Sequence, residues 1–314
     1  MNDHPEPAVM AEKEPAPGPA AILDADAEQS LATDGHAGSG GTEAAATPTA
    51  RPPAVAPRVT TPRVIALANQ KGGVGKTTTA VNLGAALADL GFRVLIVDLD
   101  PQGNASTGLG IDPRTFDSSM YDVLLHDVPL EDCIEPTSIR NLFLAPSTLD
   151  LAGAEIELVP ALSREFRLRR AIEPVKDDFA FVFIDCPPSL GLITLNALTA
   201  ATEVLVPIQC EYYALEGVSQ LTRNVELVRA NLNPTLSVRT IVLTMYDART
   251  KLSDSVVAEV RTHFGEIVAK NVIPRTVRIS EAPSFGEPIT VHDPSSRGAI
   301  AYRELAKEVS GVSS

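Results

Sequence analysis

From Arg63 onward, short apolar runs alternate with longer stretches whose apolar residues recur at helical spacing. The runs are VIALA (64–68), RVLIVDLD (93–100), NLFLA (141–145), FAFVFID (179–185), EVLVPI (203–208), VRTIVLT (238–244) and IVAKNVI (267–273). Strands of a parallel sheet covered on both faces have this texture, because neither side of the pleat meets water. Between them, TTTAVNLGAALADLG (77–91), ITLNALTAA (193–201), ALEGVSQLTRNVELVRANL (214–232) and SDSVVAEVRTHFG (253–265) predict helices. The repeated strand-helix order predicts a doubly wound α/β fold over residues 61–314, a mostly parallel sheet with flanking helices.

Residues 1–60 break this pattern: Ala, Pro, Gly, Ser, Thr and acids dominate, and no periodic apolar face can offset chain entropy. A disordered acidic tail is expected there. Its nine acids against Lys13, Arg51 and Arg58 account for six of the chain's 14 excess negative charges, so the folded part is less acidic than the total suggests. No basic segment followed by an apolar run opens the chain, and no stretch nears the roughly 18 apolar residues of a membrane span, so a cytoplasmic protein is expected. Cys133, Cys186 and Cys210 are odd in number and widely spaced, which fits reduced, buried thiols better than disulfides or a zinc site.

The first apolar run leads into Gly72-Gly73-Val74-Gly75-Lys76-Thr77-Thr78, which then opens a helix. Successive backbone N–H groups of a Gly-rich loop make a concave anion site, and the helix N-terminus adds partial positive charge. In such a phosphate loop Lys76 would reach the β and γ phosphates of ATP, and the Thr77 hydroxyl would coordinate Mg²⁺. The usual pattern demands a Gly six places before the Lys, where Gln70 stands instead, and Lys71 follows it five places before Lys76. Two further strands end in acids. Asp98 and Asp100, two apart, should point the same way, toward the rim where ligands bind; the alternative is one cap and one exposed strand-end acid. Phe181-Val182-Phe183-Ile184-Asp185 is an apolar strand ending in one acid, the arrangement that holds Mg²⁺ through water.

The string Lys71-Gly72-Gly73-Val74-Gly75-Lys76-Thr77-Thr78 resembles the deviant Walker A motif of the ParA/MinD family of ATPases, and Ile184-Asp185-Cys186-Pro187-Pro188-Ser189-Leu190-Gly191 matches the same family. Leu243 to Arg249, Val272 to Ser284 and Ser295 to Ala299 resemble chromosomal Soj-like members, and the resemblance spans about residues 63–310. It implies that Lys71 crosses a dimer interface to the partner's nucleotide, that Asp100 positions the attacking water, that Asp98 plays a secondary part near the metal and that Asp185 holds Mg²⁺. Met245, Pro274 and Arg275 would lie beside the adenine; the alternative is that these segments are ordinary strand-end turns.

Three functions share this frame: DNA partitioning, membrane association as in MinD, and reduction through a shared iron–sulfur cluster. The C-terminus, Tyr302 to Ser314, is short and mixed in charge with no basic amphipathic face, which argues against a bilayer anchor. No cysteine pair is placed to bridge a cluster. Residues 220–280 carry nine bases against five acids, a local basic surface that a solvated helix face would also produce. In related Soj proteins two arginines are central to nonspecific DNA binding; one aligns with Arg249, and Glu226 stands at the other. Arg223 and Arg229 on the same helix are candidate substitutes, with Lys251, Arg275 and Arg278 as neighbours. The resemblance thus implies an ATP-dependent homodimer on nucleoid DNA, released when a ParB-type centromere-binding protein stimulates hydrolysis, with a chromosome as cargo; the tail could meet a polar-anchor protein.

Overall fold

Six of the seven apolar runs form strands, and their pairing produces one twisted sheet. The strands are β1 (Arg63–Leu67), β2 (Val94–Asp98), β3 (Glu135–Pro136), β4 (Leu142–Ala145), β5 (Phe181–Asp185), β6 (Glu203–Gln209) and β7 (Ser237–Thr244), in the spatial order β3-β4-β2-β5-β1-β6-β7. Every neighbouring pair is parallel except β3 with β4. The computed structural model describes residues 61–112, 114–212 and 214–312, without the side chains of 214–216. The tail expected at 1–60 lies outside the described residues.

The helices are α1 (Lys76–Asp89), α2 (Asn104–Gly108), α3 (Met120–Leu125), α4 (Leu151–Glu157), α5 (Arg167–Ile172), α6 (Leu192–Ala200), α7 (Ala214–Asn231), α8 (Lys251–Phe264), α9 (Val277–Glu281), α10 (Ile289–His292) and α11 (Arg297–Ser310). They cover both faces of the sheet, which is why the strands are apolar on both sides. Alternate residues divide between two cores: Val64, Ala66, Val182 and Ile184 join the cluster with α3 to α8, while Ile65, Leu67, Phe181 and Phe183 join the one with α1 and α11. Each fully buried Val, Ile, Leu or Phe among them contributes roughly 1.5–3 kcal/mol of transfer free energy. The amphipathic face of α11, carrying Tyr302, Leu305, Ala306 and Val309, is taken up against α1 in this second core. At the opposite end of the strands, the Arg63 guanidinium grips Glu203 through two bonds of 2.9 and 2.6 Å and donates to the Val309 carbonyl, tying β1 to β6 and to the end of α11.

The seventh run, 267–273, is not a strand. It touches β7 through Ala269 N–H to Ile241 O at 2.8 Å, and regains it only at Ile273 N–H to Leu243 O, also 2.8 Å. Between these points Lys270 takes other partners: its N–H donates to the Glu308 carboxylate at 2.9 Å, and its carbonyl accepts from Arg261 at 2.7 Å. Polar residues inside an apolar run have here pulled the backbone out of the ladder. The added strand, β3, is two residues long and contains Pro136, which limits it to the sheet edge.

Candidate functional site

The carboxyl ends of β1, β2, β5, β6 and β7 gather on one rim, where open α/β sheets bind ligands. After β1 the chain turns through residues 69–75 and enters α1 at Lys76. Asn69 steadies the turn, donating to Pro207 O at 2.8 Å and accepting from Lys71 N–H at 3.0 Å. Gly75 completes it at φ 88°, a left-handed conformation in which a Cβ would be strained. No side chain caps α1 among the described residues and no acid stands in its first turn, which leaves its leading N–H groups and positive dipole end suited to an anion.

A cavity of about 420 Å³ opens at this loop, lined by Gly72, Gly73, Gly75, Lys76, Thr77, Thr78 and Asp100, with Asn82, Asn104, Thr107, Pro188 and Glu287 around the edge. A second cavity, about 290 Å³, shares Gly75, Thr78, Met245 and Pro283 with the first and continues past Pro274, Arg275, Ile279 and Tyr302. The loop glycines, Lys76 and Thr77 thus line one end of a continuous space, and Met245, Pro274 and Ile279 line the other. The structure therefore brings Met245, Pro274 and Arg275 together beside the loop.

Lys76 is 7 % exposed; burial lowers its pKa, and the Asp185 charge opposes that effect. Asp185 ends β5 fully buried, and neither carboxylate oxygen has a hydrogen-bond partner of good geometry among the described residues. Burial, then the neighbouring Asp98 carboxyl, hold its pKa well above the usual range, with the nearby Thr77 hydroxyl and Lys76 ammonium opposing. An orphaned buried carboxylate beside a hydroxyl fits a hard, oxygen-seeking cation such as Mg²⁺. Among the described residues no group of three or more His, Cys, Asp or Glu could hold a metal, so a cation at Asp185 and Thr77 would take most ligands from water and a bound phosphate.

Asp98 and Asp100 do not point the same way as expected. The strand ends at Asp98, which pairs with Asp185 in register and is fully buried. Its carboxylate accepts from Asp100 N–H at 3.1 Å and from the Ser106 N–H and hydroxyl at 3.2 and 3.1 Å, so it folds the loop that follows. Burial pushes its pKa up to about 7, partly offset by these donors. The turn they stabilise delivers Asp100 to the cavity, where its Oδ1 accepts from Gln102 N–H at 3.0 Å. Strict alternation failed because the extended geometry stops two residues earlier than the apolar run.

Lys71 lines neither cavity. Its Nζ pairs with Glu211 at 3.1 Å, both side chains half exposed. Among the candidate bases, Arg223 and Arg229 are exposed on α7, Lys251 opens α8, and Arg275 is held beside the exit of β7 by its N–H bond to Tyr246 O at 2.9 Å. None of these four makes an ion pair among the described residues. Arg278 does, with Glu281 at 3.3 Å and Asp293 at 3.8 Å, and Arg249 is held by Asp247 at 2.7 Å. All three cysteines are free and buried.

Sequence reasoning missed Asn82, whose side chain donates to Thr78 O at 2.7 Å and accepts from Ile289 N–H at 2.6 Å, joining the loop helix to α10. It also missed Gly110 and Gly286, both at positive φ, whose backbones meet so closely that a Cβ on Gly286 would lie 2.7 Å from Gly110 Cα. These contacts join positions far apart in the chain, and no local spacing announces them.

Among the described residues no helix is long and apolar enough to cross a membrane. Residues 62–238 match the family described as AAA domain. The chain is 58% identical over 246 residues to the sporulation initiation inhibitor protein Soj of Bacillus subtilis, covering 78% of this chain and 97% of Soj. Among solved structures, a Mycobacterium smegmatis protein described as cobyrinic acid a,c-diamide synthase, with bound ADP and magnesium, is 44% identical with a TM-score of 0.69, covering 79% of this chain and 94% of that one. The cell division ATPase MinD of Pyrococcus furiosus is 29% identical with a TM-score of 0.66, covering 80% of this chain and 99% of MinD. The deviant phosphate loop, the orphaned acid of β5 and this likeness together place the chain in the Soj/ParA family of chromosome-partitioning ATPases.

Proposed function

We propose that this chain hydrolyses ATP to ADP and phosphate, and that its ATP-bound homodimer holds nonspecific double-stranded DNA until hydrolysis, stimulated by a ParB-type centromere-binding partner, releases it. The observation that carries the reading is the pairing of an uncapped α1 N-terminus with the buried, unpartnered carboxylate of Asp185. The loop amides of residues 72–78 cradle the phosphates, with the Lys76 ammonium on the β and γ groups. Thr77 and, through water, Asp185 would hold a Mg²⁺ ion, with Asp98 in a supporting place behind it; the ion supplies neutralisation of the phosphate charge. Asp100 orients the attacking water and accepts its proton. Met245, Pro274 and Arg275 flank the base.

Lys71 leaves Glu211 and reaches the partner subunit's nucleotide, so that ATP joins two copies. Two copies align two sets of Arg223, Arg229, Arg249, Lys251, Arg275 and Arg278, and simultaneous engagement makes DNA affinity depend on the nucleotide. Contacts to phosphate impose salt dependence with little sequence preference. On this reading the protein works on the nucleoid without a membrane, with residues 61–314 as the ATPase domain and 1–60 as an appended tail open to a polar-anchor protein. Phosphate release by the purified chain with Mg²⁺ and ATP tests the enzymatic part. Turnover that vanishes in Lys76→Ala is expected; turnover that persists there would remove the loop from the reaction.

A further inference from the structure

The exit of β7 joins the phosphate loop to Arg249 through six consecutive residues, Thr244 to Arg249, four of which are held by hydrogen bonds. Thr244 is 2 % exposed, and its hydroxyl donates to the Val74 carbonyl in the phosphate loop at 2.8 Å. That carbonyl belongs to the same rigid peptide plane as Gly75 N–H, and a trans peptide directs its N–H opposite to its C=O. One side of the plane is therefore gripped by Thr244, while Gly75 on the other borders both cavities. Met245 follows at φ 52°, a left-handed conformation uncommon for a residue with a Cβ, and it too borders both cavities. Tyr246 donates its N–H to Ile273 O at 3.0 Å and accepts from Arg275 N–H at 2.9 Å.

Asp247 then builds a tight turn. Its Oδ1 accepts from the Arg249 N–H at 3.0 Å and from Nε at 2.9 Å, and its Oδ2 accepts from Nη2 at 2.7 Å. The Arg249 side chain is nonetheless 88% exposed, and the guanidinium holds the Asp247 pKa down at about 2, so Asp247 stays charged across the physiological range. In this pose two of the fork's donors belong to Asp247, and a phosphodiester must compete for them.

We propose that Thr244 is a positioning residue that couples occupancy of the phosphate loop to the pose of Arg249. A phosphate drawn to Gly75 N–H shifts the Val74–Gly75 plane, the Thr244 hydroxyl follows the carbonyl, and the movement reaches the Asp247–Arg249 turn through the left-handed step at Met245. The ligands are the two already assigned, a nucleoside triphosphate at the loop and DNA phosphate at Arg249, and the inference rests on the reading of this chain as a nucleotide-dependent DNA binder. Its new content is the residue that links them.

The full chain is compared with Thr244→Val, which keeps the branched shape but loses the donor, and Thr244→Ser, which keeps the donor. ATP and ADP affinities are measured by calorimetry, and binding to a nonspecific duplex is measured by polarisation with each nucleotide. Loss of one buried hydrogen bond corresponds to about a tenfold change. Thr244→Val should therefore lower the ATP-to-ADP ratio of DNA affinities about tenfold while still binding ATP, and Thr244→Ser should restore the ratio. A Val variant that binds ATP and keeps the full ratio overturns the coupling. Hydrogen exchange on the unaltered chain covers the case in which the Val variant loses ATP: nucleotide should slow exchange at Tyr246, Asp247, Arg249 and Thr250, and unchanged exchange there overturns the proposal. An unaltered chain that binds DNA equally with ATP and ADP would sink the proposed function instead, while the exchange experiment still decides whether loop and turn are linked.

Discussion

Replacing Asp185 with Asn should make the nucleotide-free protein more stable and less able to respond to Mg²⁺ and ATP. The carboxylate is fully buried, neither oxygen has a hydrogen-bond partner of good geometry among the described residues, and Asp98 lies beside it in register. A buried polar group without a compensating bond costs about 1–3 kcal/mol and more when it is charged, and Asn keeps the shape while removing the charge and its share of that cost. A gain of about 2 kcal/mol raises Tm by on the order of 5 °C for a domain of this size. The pH dependence follows from the direction of the shift. Asp185 has a folded pKa raised well above 3.8, so at low pH the carboxyl is neutral in both states and costs little; the penalty grows as pH rises from the unfolded value toward the folded one. The advantage of Asn should be largest near pH 8 and shrink by pH 5. With saturating Mg²⁺ and ATP the order should reverse, because a ligand at 100 times its Kd stabilises by about 2.7 kcal/mol only the protein that binds it. Thermal unfolding at both pH values, with and without nucleotide, is the assay. An Asn variant less stable than the parent at pH 8 without nucleotide would mean the carboxylate is already satisfied, and an undiminished response to Mg²⁺ and ATP would remove Asp185 from the metal site.

Asp100→Ala should bind ATP with near-parental affinity yet release phosphate at least about 100-fold more slowly, the scale of a lost general base, leaving a dimer that stays on DNA; normal turnover would reassign the water-positioning role. Lys71→Ala should keep the monomer's nucleotide affinity but fail to double in mass with ATP in light scattering. Arg249→Glu should weaken DNA binding at least tenfold and lower the salt slope by about 1 for each DNA phosphate it no longer neutralises, with basal phosphate release unchanged. Full DNA binding by that variant would move the binding surface to Arg223, Arg229 or Lys251.

Much of the fold was legible because a sheet covered on both faces leaves near-continuous apolar runs, and β1, β2, β4, β5, β6 and β7 each coincide with a run read as a strand to within one residue at the overhanging end. The run at 267–273 misled because Lys270 finds Glu308 and Arg261 in three dimensions, partners that hydrophobicity cannot foresee. The phosphate loop was legible since its glycines, Lys76 and Thr77 are consecutive. Asp98 and Asp100 were legible as a pair, but their separate surroundings were not, because the turn between strand and cavity depends on Ser106 eight residues on. The Lys71–Glu211 pair, Asn82 with Ile289 and Thr244 with Val74 each span well over 100 positions, so no window of sequence contains them. Arg249 shows the limit of counting charge: a base by composition, it is held by Asp247 in the fold.

The central claim is that nucleotide state governs a phosphate-binding surface on this chain. Its most direct test is binding of the full-length protein to a nonspecific duplex with ATP, ADP or no nucleotide, repeated across salt concentrations, with anionic liposomes as a parallel target. The account predicts ATP-selective binding to DNA that falls steeply with salt, and no binding to liposomes. Liposome binding without DNA binding would contradict it.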